Sequence, residues 1–506
     1  MYKPAPLLFA LCAACATAPP DEAPPSLATA HVLMAGEPTA ASMLLQARLV
    51  SADTLMYDDS LLSRDLPGVA AWGRFEVSAD TTFAEARRTP WRRADAANDY
   101  HVRGKVDGLA PDTRYYYRLR AGADTNRAAS GRTARFRTLP APTSADSLRF
   151  VLISCMNFEK FYGLSRAAGA GDQPPEATAA VGEERRQGFP ALEVIRRRQP
   201  HFWIADGDNV YYDHPDDTDW RATSRAELRA KWHRQFSMPR LQALFEAAPT
   251  YWLKDDHDYR YNDADTLPGV EPSHALGVAT FREQVPVVDP DAPAAVTYRT
   301  HRVNDLLQLW FIEGRDYRSP NSMPDGPGKS LWGTEQRAWL QQTLRESDAT
   351  FKVLVSPTPM VGPDDAYKND NHVNPGGFRH EGDAFFAWLI EHDLTRNFFV
   401  LNGDRHWQYH SVHPTANVDE FGCGALVTQN ARRGRAPGDP GSTDPAGLIR
   451  QPFIQKEPTG GFLEVTLLPG DDTHPARLRF EFIDERGASL YAVERTSDDR
   501  PGAGRN

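Results

Sequence analysis

The sequence predicts an α/β fold with an all-β unit in front of it, and three observations carry that prediction. Short alternating apolar stretches separated by Gly, Pro, Asp and Asn turns run up to Pro140. Beyond a linker, PAPTSADS at 140–147, apolar strands alternate instead with helical stretches. Several of those strands run straight into short polar clusters, the place where ligands sit in α/β folds. The length of 506 residues suits two domains and a leader. Hydrophobic residues make up 41% and aromatics 10%, which suffices for packed cores and excludes a disordered chain. The net charge of −11 argues against nucleic acid as a partner other than as a possible substrate. Small anionic substrates stay open, because bound cations can reverse the local field of a site.

Residues 1–18 read as an export signal: Lys3 gives a positive start, Leu7 to Ala16 an apolar run, and small residues a cleavage region. That run is shorter than the ~20 apolar residues a spanning helix needs. Cys15 follows Ala13 and Ala14 as a lipidated N-terminal cysteine would, although Cys12 stands where a branched apolar residue is usual. A lipid anchor and an ordinary leader cut a few residues later both remain open. The expected location is periplasmic, outer-membrane lipoprotein or extracellular. Residues 19–27 are a Pro-rich acidic tether. Beyond the leader only Cys155 and Cys423 remain, as a single bridge or as separate thiols.

Residues 28–140 hold the alternating stretches, among them SMLLQARLV, AWGRFEVSA and TRYYYRLRAG. Their spacing suits an antiparallel sandwich, and PDTRYYYRLR looks like a late strand of an immunoglobulin or fibronectin-like domain with a structural or positioning role. Residues 145–500 form the catalytic α/β domain, with LRFVLISC, HFWIADGD, PTYWLKDDHD, DLLQLWFIEGR, TFKVLVSP and NFFVLNGDRH as strands. ALEVIRRRQ, RAELRAKWHRQF, TEQRAWLQQTLRES and DAFFAWLIEHD supply helical stretches, and GGFLEVTLLPG with ARLRFEFIDERG a closing hairpin.

The strand-end clusters offer Cys155 and Asn157; Asp208, Asn209, Tyr211 and Asp213; Asp255, Asp256, His257 and Asn262; Glu313 and Arg315; and Asp404 and His406. Singly each has an ordinary explanation as a cap, a turn or buried volume. Together they provide the carboxylate, imidazole, amide and thiol groups of a polynuclear metal site. Phosphoester hydrolysis needs neutralised phosphate oxygens, a nucleophile near neutral pH and a donor to the leaving oxygen, and two adjacent cations supply the first two. A carboxylate shared by both cations must sit centrally, and Asp208 is the candidate. His257, flanked by acids that raise its basicity, suits proton donation to the leaving group.

These motifs resemble the PhoD-like alkaline phosphatases and phosphodiesterases, a branch of the calcineurin-like metallophosphoesterases. The carrying residues are Ser154-Cys155, GDNVYYD at 207–213, DDHD at 255–258 with Asn262, EGRDYR at 313–318, the TEQRAWL helix, GDRH at 403–406 and the Glu420-Phe421 pair. The resemblance implies a metallophosphoesterase-type β-sandwich core flanked by helices. It implies a ferric ion, Fe(3+), on Cys155, Asp208 and Tyr211. A second metal, Ca(2+) in family members, would face Asp208 with Asp256, Asp404 and His406 as partners and Asn262 counted among the ligands. His406 leaves room there for Zn(2+) or Mn(2+). Asn157 and Arg315 become candidates for phosphate contacts. The implied reaction is attack of a metal-activated hydroxide on phosphorus, with His257 protonating the leaving group. The substrate would be a small-molecule or lipid phosphate mono- or diester, and the enzyme a monomer.

This chain departs from the family pattern at Asp258, where Glu is common, at Glu313-Gly314 before Arg315, and at Trp407 after His406. The expectation is a reshaped pocket rim over an intact floor. Tyr212, Tyr259, Tyr261 and Trp407 are read as packing or as a substrate platform, and ARRGRAPG at 431–438 as a solvated loop or a polyanion-attracting rim. A sulfatase-like or other ester hydrolase on the same metals is one alternative. A non-catalytic cell-surface binding protein that works through its β-sandwich is the other.

Overall fold

A computed structural model of the chain describes residues 30–50, 66–164, 178–215 and 221–498. The leader with Cys12 and Cys15, and the whole tether, lie outside the described residues. Among the described residues no helix is long and apolar enough to cross a membrane.

Two large sheets face each other across the main core. The nine-stranded sheet runs, in spatial order, Ser489–Thr496, Arg477–Asp484, Gly461–Leu468, Leu148–Ile153, Phe202–Asp206, Thr250–Leu253, Ala30–Gly36, Ser42–Leu49 and His101–Asp107. The seven-stranded sheet runs Arg299–Arg302, Leu307–Phe311, Phe351–Ser356, Phe398–Asn402, Asp419–Cys423, Gln408–Val412 and Arg450–Ile454. Strand alternation sorts the side chains between layers. Phe150, Leu152, Phe202 and Ile204 point between the sheets and meet Val353, Val355, Phe399 and Leu401. Val151, Ile153, Trp203 and Trp252 point the other way, onto Leu192, Ile195, Trp232 and Leu241 of the helices Pro190–Arg198, Arg225–Phe236 and Pro239–Phe245. The outer face of the second sheet, including Trp310, Leu354 and Val400, packs on Leu340, Leu344, Phe385 and Phe386 of Gly333–Glu346 and Arg379–Glu391. Each such buried large side chain contributes about 1.5–3 kcal/mol. The result is a helix–sheet–sheet–helix stack.

The helix starts follow their sequence signals. Ser224 and Glu227 form a capping box on Arg225–Phe236, and Pro190 occupies the first turn of its helix. The closing hairpin pairs Gly461–Leu468 with Arg477–Asp484, and a further strand, Ser489–Thr496, extends it.

The N-terminal strands are shared between two sheets. Ala30–Gly36, Ser42–Leu49 and His101–Asp107 continue the nine-stranded sheet, through a parallel pairing of Gly36 with Thr250. They pack on a smaller sheet of Arg87–Arg88, Ala71–Ser78, Arg114–Gly122 and Ala129–Arg137, in which Arg92–Ala94 also pairs with Ala71–Ser78. Alternation alone shows which residues face inward; it does not show that a strand belongs to a sheet built from residues two hundred positions later.

Candidate metal centre

The central parallel strands end together, and their C-terminal loops converge. Ser154 Oγ donates to the carbonyls of Asp206 and Gly207, both at 3.1 Å, which ties the first loop to the second. Three site residues, Cys155, Asp208 and Asp404, take positive φ values of 57°, 54° and 61° although none is glycine. Such backbones cost free energy and persist where surrounding structure fixes them, commonly at functional sites. Glycines serve the same turns. Gly207 has φ 80°, and a Cβ on Gly403 would lie 2.6 Å from the Asp206 carbonyl oxygen.

Asp208 is the hub. Cys155 Sγ lies 3.5 Å from its Oδ2, and the same oxygen accepts the Tyr211 hydroxyl at 3.0 Å. The ligating atoms of Cys155, Asp208 and His406 lie within 4.8 Å of one another. Asn430 donates to Tyr211 Oη at 3.0 Å and to the Cys155 carbonyl at 3.2 Å, holding the pair in register. On its other side Asp208 groups with Asp256 and His257, again within 4.8 Å. His257 donates Nδ1–H to Asp213 Oδ1 at 2.7 Å, which leaves Nε2 as the free ring atom.

The electrostatics fit a cation. Burial pushes Cys155 and Tyr211 well above their ordinary values, and the Asp208 charge adds to both shifts. Burial also raises Asp208 itself, and its Oδ1 has no hydrogen-bond partner among the described residues. Buried acids that cannot easily ionise, around an orphaned carboxylate oxygen, make a donor set that a metal ion would complete. Burial, helped by the Lys160 and Arg432 charges, pulls His406 well below its usual value, so it stands as the neutral imidazole a ligand must be. For His257 burial acts downward, but Asp213, Asp256 and Asp208 outweigh it and hold the ring well above the usual histidine value.

Two family models match this chain: a PhoD-like phosphatase model over residues 150–443, and a PhoD-like phosphatase N-terminal domain model over 14–140. The chain belongs to the PhoD-like phosphatase family. Alkaline phosphatase D of Bacillus subtilis (strain 168) is 25% identical over 346 residues, which cover 63% of this chain and 54% of that protein. This chain therefore matches about half the length of that curated relative. Among solved structures, PhoD superposes with a TM-score of 0.68 at 19% identity, covering 92% of this chain and 88% of that one. The purple acid phosphatase PPD1 from yellow lupin (Lupinus luteus) seeds gives 0.59 at 12% identity, covering 92% and 74%. These likenesses show the fold, a mixed α/β architecture with large sheets.

Within that family frame, several sequence-derived assignments change place. His406 groups with Cys155 and Asp208, not with Asp256 and Asp404, so an imidazole no longer needs to be fitted to the second metal. Asn262 is exposed, and its contact with the cluster is a backbone N–H donated to Asp213 Oδ2 at 2.9 Å. Arg315 is fully buried, 2.6 Å from Asp255 through Nε and 3.0 Å from the Ala264 carbonyl, with Asp370 at 3.7 Å. Nε and Nη1 are thus taken up by the protein, while Nη2 has no hydrogen-bond partner among the described residues and stands 2.5, 3.9 and 3.7 Å from carboxylate oxygens of Asp255, Asp256 and Asp370. Asn157 caps the short helix Phe158–Phe161 through Lys160 N and points its amide nitrogen at His214 Nδ1, 3.4 Å away. Asp404 lies beside Arg405, and burial lifts its carboxyl to about 6.

The departures from the family pattern sit beneath the site, not at its rim. Asp258 is buried and accepts from Asn209 N and Asp255 N at 3.1 and 2.7 Å, pinning two motif loops together. Trp407 is buried under Arg432, whose guanidinium carbon stands 4.5 Å from its ring centre. Glu313 pairs with the buried Lys254 at 2.5 Å, and Glu420 accepts three backbone N–H groups from Met360, Val361 and Gly362. Tyr212 and Tyr259 are also buried, bonded to Trp232 and His274, so the platform reading keeps only the half-buried Tyr261. The 431–438 loop is anchored and not simply solvated: Arg432 and Arg435 both bind Asp365 at 2.6 Å. Cys155 and Cys423 are separate buried thiols.

Sequence reasoning missed His214, Asn430, Asp263 and Asp370. His214 forms a group with Asp213 and His257, and Asp263 and Asp370 form one with Asp256. Adjacency to the GDNVYYD motif could have found His214. Asp370 stands in a loop and Asn430 in the short 3-10 helix Thr428–Asn430, neither with a motif of its own.

Proposed function

We propose that this chain is an exported, metal-dependent hydrolase of phosphate monoesters, diesters or both. The observation that carries the reading is the convergence of three strand-end loops on Asp208, with an orphaned carboxylate oxygen and donors on both sides. Cys155, Asp208, Tyr211 and His406 would hold one ion, and Asp208, Asp256 and Asp404 a second. A thiolate, a phenolate and an imidazole suit Fe(3+), and the all-oxygen set suits Ca(2+), with Zn(2+) or Mn(2+) as the other divalent choices. Such ions, when bound, neutralise phosphate charge and lower the pKa of a coordinated water.

The chain's own residues do the rest. Asp213 fixes the His257 ring by accepting Nδ1–H, so the proton for the leaving oxygen is held at Nε2. Asp258 and Asn209 fix the spacing of the loops that carry Asp208 and Asp256. The N-terminal strands, read as an immunoglobulin or fibronectin-like unit, position this scaffold and take no part in the chemistry.

Hydrolysis of p-nitrophenyl phosphate and of its bis-ester tests the reading. Activity that is abolished in Asp208→Ala supports it, and full activity in that variant would sink it. Turnover of p-nitrophenyl sulfate far above both phosphates would favour the sulfatase-like alternative.

A further inference from the structure

The outer face of the small N-terminal sheet is an arginine surface, in a chain whose net charge is −11. The strand register places Arg74 beside Arg120, Glu76 beside Arg118 and Arg88, Trp72 beside Arg93, Tyr116 beside Arg135, and Arg114 beside Arg137. Eight arginines thus share one face with Glu76. Arg88 and Arg118 bind that glutamate at 3.2 and 2.8 Å, with Arg120 at 3.9 Å, and Arg137 is matched by Asp112. Arg74, Arg93, Arg114 and Arg135 have no carboxylate within ion-pair distance among the described residues. Arg74 lies over the Trp91 ring at 4.6 Å and Arg93 over Trp72 at 6.0 Å. Internal pairing therefore leaves an excess of positive charge interleaved with indole rings.

We propose that this face docks on an anionic lipid bilayer and binds the phosphates of its headgroups. Guanidinium groups bind phosphate oxygens in pairs, and tryptophan rings settle at the headgroup level, so the composition matches a membrane surface. The shape agrees, because a sheet face presents its charges in two dimensions and not along a single track. At one end a recess of about 250 Å³ brings Arg114, Arg135 and Arg137 together with Arg196 and His201, space for one headgroup phosphate. The first described strand, Ala30–Gly36, lies beside the small sheet: Arg132 donates to the His31 carbonyl at 3.1 Å, and twenty-nine residues precede Ala30 in the sequence. His201 precedes the strand Phe202–Asp206, whose far end leads to Asp208, so docking here leaves the metal centre facing away.

Vesicle co-sedimentation of the full chain tests the proposal. Vesicles of phosphatidylcholine alone are compared with vesicles containing about 30 mol% phosphatidylglycerol, since only the headgroup charge then differs. The expected result is partition at least tenfold stronger on the anionic vesicles, lost in ~0.5 M salt. The Arg93→Glu/Arg114→Glu/Arg135→Glu variant should lose that preference while keeping wild-type hydrolysis of p-nitrophenyl phosphate, which also reports that it folds. If it does not fold, the single exposed changes Arg114→Gln and Arg135→Gln should each weaken anionic partition about fivefold. Equal partition on the two vesicles overturns the proposal, as does a preference that the variants retain. Tight binding of soluble polyphosphate without vesicle binding also overturns it, and would make the face a polyanion site.

Discussion

Cys155 Sγ and Asp208 Oδ2 stand 3.5 Å apart at the ends of neighbouring parallel strands, both on left-handed backbone. Two non-glycine residues in that conformation, side by side and buried, are held by the fold at a steady cost in stability. The return is a thiol, a carboxylate and the Tyr211 phenol within reach of one ion.

The first prediction concerns that ion. Protein purified without chelator should show a visible thiolate- or phenolate-to-iron absorption band. Tyr211→Phe should shift or bleach the band, and Cys155→Ser should lower iron content. An unchanged spectrum in both variants would remove these residues from the centre.

How much of this was legible beforehand differs from residue to residue. Asp208, Tyr211, Asp256 and His257 could be read because each follows an apolar strand closely, and strand ends converge by topology. The alternation of strands with helices followed from their periods, whereas the stack of two sheets came only from the resemblance to the family. Arg315 could not be placed, because a guanidinium beside phosphate and one beside Asp255 look alike in sequence. Nor could alternation reveal that Ala30–Gly36 joins Thr250–Leu253, since register across two hundred residues is a tertiary choice. Asp370 reaches the site from a loop and Asn430 from a single 3-10 turn, both too short and irregular to show a period.

The second prediction follows from the His257–Asp213 pair. In the proposed mechanism His257 is the acid, so activity should fall as pH rises through its pKa, which Asp213 holds up against burial. Asp213→Asn should move the alkaline limb of the rate profile to lower pH and cut kcat by ~10–100-fold. His257→Gln should cost ~10²–10⁴-fold and remove that limb altogether. A pH–rate series on the two variants checks both, and a profile that keeps its wild-type limb in Asp213→Asn contradicts the assignment.

Arg315 gives a third test, of stability against binding. Arg315→Met leaves Asp255 buried without its partner and should destabilise the fold by about 3–5 kcal/mol in urea titration. KM for p-nitrophenyl phosphate should change little. A large rise in KM at unchanged stability would return Arg315 to the substrate.

Acid sensitivity supplies the fourth. Asp99 joins the N-terminal strands to the helical layer, accepting from Arg48, His233 and Gln284 at 3.2, 2.6 and 2.7 Å. Burial alone would raise its pKa, but His233, His101 and Arg48 outweigh burial and hold the carboxyl far below the usual range. The folded value lies below the unfolded one, so this stability is present above pH ~4 and is lost as pH falls below it. Asp99→Asn should lower the urea midpoint at pH 7 and flatten its decline towards acid, and an equally steep decline would contradict the pairing.

Metal analysis of the native protein bears most directly on the central claim. Elemental analysis of full chain purified without chelator, with Asp208→Ala alongside, should find iron and a divalent cation bound to the wild type and both lost in the variant, together with phosphoesterase activity. Wild-type protein that hydrolyses phosphate esters with no iron and no divalent cation bound would contradict the account.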